Sequence, residues 1–450
     1  MSKLQQHKNI KSAITILTSL FLLTVVYLSL HLSQIPKIDV FADDDCTTVD
    51  WQDVSTSGLT NVTINVSDSA ATKTCLIVNT TETEEDIFTT RGEVISLSFT
   101  NLQNVKTLKI GNNAFTQKHG ADNKLESITF PNGLQNLEIG EFSFLQETTD
   151  AGDNALAGVE FPQSLKSLII GELAFQQTAQ GGENALSYIS FPDELDILSI
   201  GYGAFMQIEQ NGSGQNNSLT SVVFPNTVTN LTIGGSSFSQ STATGQNALS
   251  SITFPTNLTS LEIGFSAFYQ SASSADAKNA LTNVDFPDGL ETLIIDNQAF
   301  AQYIHGGSNN NALQEIIFPS SLKELTIDDE GFLQYNEGDG DNALQSVNFP
   351  VGLETLSNGD DAFHQTAHYG DNTLISVTFP YGLNSLIINS RAFKQDAYDG
   401  DVALISFLFR FDNDTIPENV RIGSSITDLG FVAGNLPWTW YGTPEEDAQM

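Results

Sequence analysis

From about residue 99 onward the chain sets short apolar bursts between polar stretches in one unchanging order. One unit reads Asn154-Ala155-Leu156, then Val159 and Phe161-Pro162, then Leu165, Leu168 and Ile170-Gly171, then Ala174-Phe175 and Gln177, before a polar stretch leads to Asn184. The Phe-Pro pair returns at Phe130, Phe161, Phe191, Phe224, Phe254, Phe286, Phe318, Phe349 and Phe379, with spacings of 31, 30, 33, 30, 32, 32, 31 and 30. A period in this range predicts a repeat solenoid, because one unit cannot bury its apolar side alone and stacked neighbours share a continuous core. The gap from each Gln to the next Asn is 8, 7, 10, 7, 9, 9, 8 and 7, and removing it leaves 23 residues in every coil. All variation in length lies in that one stretch, which reads as a surface loop, since a stacked core tolerates no insertion.

Within the 23 residues the segments LxxIxF and LxxLxI predict two short strands per coil. Pro after the first segment removes a backbone donor and ends that strand. Gly140, Gly171, Gly201, Gly234 and Gly264 follow the second segment and suit a turn with positive φ, with Asp296, Asp328 and Asn389 in the same place in later units. The Phe of each Ala-Phe pair is expected to stack on its counterparts one coil away. Gln recurs two residues later from Gln117 to Gln395, which is unexpected in a solvated loop and predicts a buried amide rung. Such a rung would satisfy backbone groups at the loop entry and bond to its neighbours.

The unit LxxIxFPxxLxxLxIGxxAF, spread over residues 99–409, resembles the BspA-like, treponeme-type leucine-rich repeats. The resemblance implies a leucine-rich-repeat-like right-handed coil with parallel strand ladders and about ten to eleven repeats. It also implies a place on cell surfaces in adhesion or interaction, and no catalysis. The chain departs from the family pattern in its Gln, where Cys or Asn often follows Ala-Phe, and in its inserted loop. Residues 43–98, alternating at Val62, Ile64 and Val66, read as an N-terminal cap, and 410–450 with Trp438 and Trp440 as a C-terminal one. Repeat arrays need such ends to shield open edges.

Residues 13–32 carry no Lys, Arg, Asp or Glu and are long enough to cross a hydrocarbon layer of about 30 Å as a helix. Lys3, Lys8 and Lys11 precede the segment and Asp39, Asp43, Asp44 and Asp45 follow it, so the positive-inside rule leaves residues 1–12 in the cytosol. The segment reads as an uncleaved signal anchor or as a signal peptide cut between Ala42 and Asp43. Both readings export the repeats, to the cell surface or as a secreted protein. Cys46 and Cys75 are the only cysteines and form a candidate disulfide in that compartment. Candidate N-glycosylation sites are Asn61, Asn65, Asn79, Asn211, Asn216, Asn230, Asn257 and Asn413.

With 17 basic against 54 acidic residues the formal charge is −37, which argues against nucleic acid as a partner. No phosphate cradle, nucleophile elbow or zinc-protease motif occurs, so no enzyme and no resident cofactor are expected. His364 and His368 stand four apart but in an expected loop, a weak metal signal. Several loops combine Gly with Asp150, Asp153, Glu337, Asp339, Asp341, Asp371, Asp396, Asp399 and Asp401, a set suited either to a solvated acidic edge or to calcium bridging adjacent coils.

The outward positions of the first strand row are polar but varied, as a protein-recognition or glycoconjugate-binding face would be. The candidate residues are Glu126, Thr129, Glu160, Tyr188, Ser190, Asn283, Asp285, Glu315 and Asn348. No sequon asparagine is expected on that row, while Asn230 and Asn257 fall in or beside the second. The alternatives are a structural surface coat without a specific ligand, a calcium-stabilised solenoid, or an ice-binding ladder through Thr129, Thr253 and Thr378. Glu160, Val223, Asp285 and Ile317 interrupt that ladder.

Overall fold

The computed structural model describes residues 94–100, 105–210, 216–380 and 383–401, together with the backbone of strands Cys46–Asp50, Asn61–Asn65, Cys75–Asn79, Ser406–Phe409 and Asn419–Ile422. Among the described residues regular structure consists of strands alone. The anchor segment 13–32 lies outside them, and no helix among those described is long and apolar enough to cross a membrane.

Each coil contributes three short strands, for example Gly158–Glu160, Ser167–Ile170 and Gln177–Gln180. Like strands of successive coils pair in parallel. The second ladder is one sheet of 13 strands, from Cys46–Asp50 to Asn419–Ile422, and the third is one sheet of 10, from Gln117–His119 to Gln395–Ala397. Strands therefore extend the second ladder into both segments expected as caps. Register is strict, with Leu168 between Leu137 and Leu198, and Ile170 between Ile139 and Ile200. These side chains point inward and are buried, as the period of two requires.

The third strand departs from the expected two per coil. It begins at the recurrent Gln and takes up the first residues of the stretch read as loop, as in Gln240–Thr242. Its residues are polar and show no hydrophobic alternation, so periodicity alone could not mark it.

Beside its leucine and isoleucine columns the core holds two columns of phenylalanine. Rings of the Ala-Phe column stack with centroids 5.1–5.5 Å apart. Rings of the Phe-Pro column stack at 5.2–6.0 Å. The columns meet edge to face, as at Phe254–Phe268, 6.2 Å and 88°, the geometry that sets ring edges against ring faces.

Hydrogen-bonded rungs sit about 4.7–4.9 Å apart, and the Phe-Pro column is the wider spaced of the two ring columns. The first ladder falls into five sheets of three, two, two, two and three strands. Paired rungs such as Gly158–Glu160 with Tyr188–Ser190 alternate with unpaired interfaces.

Two columns of buried amides line the other side of the coil. Gln240 donates from Nε2 to the Gln207 Oε1 (2.9 Å) and to the Leu219 carbonyl (2.9 Å), while its Oε1 accepts the N–H groups of Ala248 and Leu249, both at 2.8 Å. One amide thus binds its own coil, the coil before and the coil after, which bears out the expected rung. A second column was not foreseen. Asn184 donates from Nδ2 to Asn217 Oδ1 (2.8 Å) and to the Ile208 carbonyl (2.9 Å), and the Asn–Asn chain runs unbroken from Asn123 to Asn372. Gln donors point to the preceding coil and Asn donors to the following one, so the two rows of amide dipoles oppose each other.

The turn after the second strand corrects one expectation. Positive φ falls not on Gly140 or Gly171 but two residues later, at Asn113, Phe142, Leu173, Ser236, Ser266, Gln298, Glu330, Asp361 and Arg391, with φ between 52° and 59°. A non-glycine residue held there costs about 1–2 kcal/mol. An inter-coil bond from the same N–H offsets it, as from Leu173 to the Tyr202 carbonyl at 2.8 Å. Glycine is needed at 171 for closeness instead, since a Cβ there would lie 2.7 Å from the Glu141 N and the Gly140 carbonyl carbon of the coil before.

One core position breaks the pattern. Asn358 stands in the isoleucine column between Ile327 and Ile388, fully buried, and neither its Oδ1 nor its Nδ2 has a partner.

Candidate binding surface

Alternation within each first strand turns the middle residue inward (Val159, Val284, Ile316) and its two neighbours outward. Glu126, Thr129, Glu160, Tyr188, Asn283, Asp285, Glu315 and Asn348 are all exposed, and Ser190 is half-buried. Register sets Glu160 beside Ser190, Asn283 beside Glu315, and Asp285 beside Ile317. Four apolar side chains share this surface: Tyr188, Val223, Ile317 and Ile375, exposed by 47, 55, 42 and 44%.

Tyr188 is held in place. Its ring lies over Gly158, where a Cβ would come within 2.1 Å of Tyr188 Cε1, and its hydroxyl donates to Glu160 Oε1 at 3.4 Å. Further along, burial together with the Asp288 and Glu315 carboxylates pushes the Asp285 carboxyl above its ordinary range. The face is therefore acidic there, with apolar residues between the charges. Thr129, Thr253 and Thr378 occupy equivalent positions but never neighbour one another in the ladder.

The sequons divide. Asn61–Asn65 is a strand of the first ladder, paired with Ser96–Thr100, so two sequon asparagines lie on the row expected to be free of them. Asn79 ends strand Cys75–Asn79 of the second ladder, and Asn230 begins Asn230–Ile233, where it is exposed. Asn257 is exposed and donates to the Asn226 carbonyl at 2.7 Å, while Asn216 accepts the Gln246 N–H at 2.9 Å. Asn211 and Asn413 lie outside the described residues. Cys46 and Cys75 are Cα partners in the second ladder, adjacent rungs of one sheet.

The loop acids have backbone work to do. Asp153 accepts the Glu183 N–H, Asp341 accepts that of Asp371, and Asp371 that of Asp401, each at 2.8 Å. These carboxylates tie one coil to the next. Among the described residues no group of three or more His, Cys, Asp or Glu side chains is arranged to hold a metal ion.

His364 and His368 do not converge. His364 lies between Asp361 (Nδ1–Oδ1 2.9 Å) and Asp396 (Nε2–Oδ2 3.1 Å), whereas the His368 ring packs on Tyr398 at 4.7 Å. Burial pushes the Asp361 carboxyl up, but hydrogen bonds and charge from His364 and Arg391 outweigh it and hold the group below its ordinary range. Sequence reasoning missed the rings around His368, because a single Tyr or His per loop forms no motif until the coils are stacked.

The profile of the BspA type leucine rich repeat region matches residues 81–302 and 207–397, in six copies. The chain belongs to the BspA-type leucine-rich repeat family. Among solved structures, this BspA-type chain is similar to the pneumococcal vaccine antigen PcpA, at 20% identity over 74% of this chain and 76% of that one, with a TM-score of 0.32. It is also similar to a leucine-rich cell surface protein from Faecalibacterium prausnitzii A2-165, at 15% identity over 82% and 92% of the two chains, TM-score 0.24. A leucine-rich repeat protein from Bacteroides ovatus ATCC 8483 is similar at 14% identity, 79% and 94% coverage, and TM-score 0.24. No curated protein matches the chain.

Proposed function

We propose that this protein is an extracellular or cell-surface recognition protein, non-catalytic, that binds a protein or glycoconjugate partner through the outer face of the first ladder. The observation that carries this reading is a contrast within single strands. Inner positions repeat as Val or Ile, with Ile128, Val159, Val222, Val284, Ile316 and Val347 buried and Ile189 and Ile252 half-buried, while outer positions change from coil to coil and are exposed or half-buried. A repeated frame with varied exposed columns is how solenoids build extended binding surfaces. Tyr188 supplies an anchor of the kind that dominates interface energetics, Val223 and Ile317 add exposed apolar area, and the acids between them select against like charge. BspA-type repeats and the apolar segment 13–32 with its charge asymmetry support a place outside the cytosol.

The test is capture of partners from cell-surface extracts by the full chain and by the triple variant Glu160→Lys, Asp285→Lys and Glu315→Lys. A control removes equal charge on the loop edge at Asp150, Asp276 and Asp339. Loss of a specific partner in the first variant and its retention in the control support the face. Identical partners for all three proteins would defeat it.

A further inference from the structure

On the outer side of the third ladder, the last coils carry a continuous run of rings. Tyr269 meets Tyr303 at 5.4 Å, Tyr303 meets Tyr335 at 5.5 Å, Tyr335 meets His368 at 5.9 Å, and His368 meets Tyr398 at 4.7 Å. The run advances one coil at a time. Its rim is set by inter-coil backbone bonds, in which Glu337 donates to Ile304, His368 to Asn336 and Tyr398 to Ala367. Tyr369 and Tyr398 are 60 and 73% exposed, against the core phenylalanines beneath.

Carboxylates accompany the rings. Glu330 accepts the Tyr303 hydroxyl (3.0 Å), and Glu337 accepts that of Tyr335 (2.9 Å) and faces His305 Nδ1 (3.3 Å). Burial and Glu337 push the Tyr335 hydroxyl up to about 12, so it stays a donor to that carboxylate. Asp399 is exposed beside Tyr398. Between Asp296 and Asp401 the chain has 16 acidic residues and three basic ones, Lys323, Arg391 and Lys394. Each of the three is ion-paired, with Glu291, Asp361 and Asp396.

We propose that this strip of tilted rings and carboxylates binds an extended Arg- or Lys-rich segment of a partner protein, lying along the stack across its last four or five coils. Ring faces attract cations, and adjoining carboxylates strengthen the attraction by pairing with the same guanidinium or ammonium groups. Successive rings are tilted by 38°, 70° and 56° from Tyr303 to Tyr398, so they form no flat platform for a sugar ring, and the exposed rings Tyr369 and Tyr398 are open to a charge arriving from solvent. The third ladder's own backbone is paired along its length, so recognition falls to these side chains rather than to strand addition. The site lies on a different ladder from the proposed first-ladder face, and either can fail without the other.

The test uses the full chain and a labelled peptide of alternating arginine and glycine at physiological salt. Three variants separate the sources of binding: Tyr369→Ser with Tyr398→Ser, Glu337→Gln with Asp399→Asn, and Asp285→Asn with Glu315→Gln on the first ladder. The tyrosine variant keeps the net charge and is expected to raise Kd about tenfold, the ordinary cation–π strength of two exposed rings. The second variant is expected to weaken binding comparably, and the third by less than about twofold, in line with screened long-range attraction. Unchanged Kd in the tyrosine variant, with equal losses in both acid variants, would reduce the effect to bulk charge and overturn the proposal. Tight binding of cellohexaose in place of the peptide, lost with the tyrosines and kept without the acids, would overturn it in favour of a glycan.

Discussion

The first and third ladders are made by the same coils, yet the third runs through ten strands unbroken and the first falls into pairs and triplets. The third differs from the first in the polar column alongside it. The third ladder starts at each Gln, whose amide joins its own coil to the next and, at Gln146, Gln177, Gln240, Gln302 and Gln365, also to the coil before, and the Asn column donates into the same strand, as from Asn217 to the Ser241 carbonyl at 3.0 Å. The first ladder has only the wider Phe-Pro stack beneath it. The 13-stranded second ladder is also unbroken, over columns of leucine and isoleucine, so buried amides are one of two ways in which this molecule keeps its coils in register. The side without amides is free to vary outward, which is where the proposed partner face lies.

The most damaging way to break this comparison is to remove one amide. Gln240→Leu leaves the Leu219 carbonyl and the Ala248 and Leu249 N–H groups without partners, and at about 1–3 kcal/mol per orphaned group it is expected to cost about 3–9 kcal/mol. Denaturant unfolding would measure it, with probes near both ends because long arrays can lose cooperativity. Phe268→Ala and Phe254→Ala are next, each expected to cost about 3–5 kcal/mol. The Phe268 change should cost more, because its column is more tightly stacked and its Ala-Phe turn is pinned by inter-coil bonds. A larger loss at Phe254 would mean that spacing does not govern cohesion.

Asn358→Ile sharpens the same point with the opposite sign. It removes a buried amide that no column serves and restores isoleucine between Ile327 and Ile388, so a gain of about 1–3 kcal/mol is expected. Acid titration gives a smaller effect. Because the folded Asp361 carboxyl is held below its unfolded value of about 3.9, its contribution is present above that pH and is lost as pH falls through the folded value. Thermal unfolding between about pH 5 and pH 2 should therefore fall less steeply in Asp361→Asn than in the parent chain. Smallest is the effect of chelation. With Asp153, Asp341 and Asp371 engaged by backbone N–H groups of the next coil, chelator should leave the Tm unchanged.

Much of this architecture was legible in the sequence, and for a physical reason. A stacked core repeats its constraints, so Phe-Pro, Ala-Phe and Gln recur at fixed offsets and the constant 23 residues separate coil from loop. The Gln rung could be inferred because a polar residue that never varies needs a buried partner. The third strand could not, since Gln240-Ser241-Thr242 has neither alternation nor apolar content and is ordered by neighbours far away in sequence. The turn was misassigned because glycine signals both positive φ and close approach, and here Gly171 serves closeness while Leu173 takes the left-handed conformation. The aromatic strip was hidden because Tyr303, Tyr335, His368 and Tyr398 become neighbours only when the coils align.

Hydrogen exchange resolved to single strands tests the central claim most directly, by comparing amides of Gln177–Gln180 and Gln302–Ile304 with those of Gly158–Glu160 and Asn283–Asp285. Slow exchange throughout the third ladder, with markedly faster exchange in the first, is the predicted result. Equal protection of the two, or the reverse order, would mean that the amide columns do not hold the coils in register.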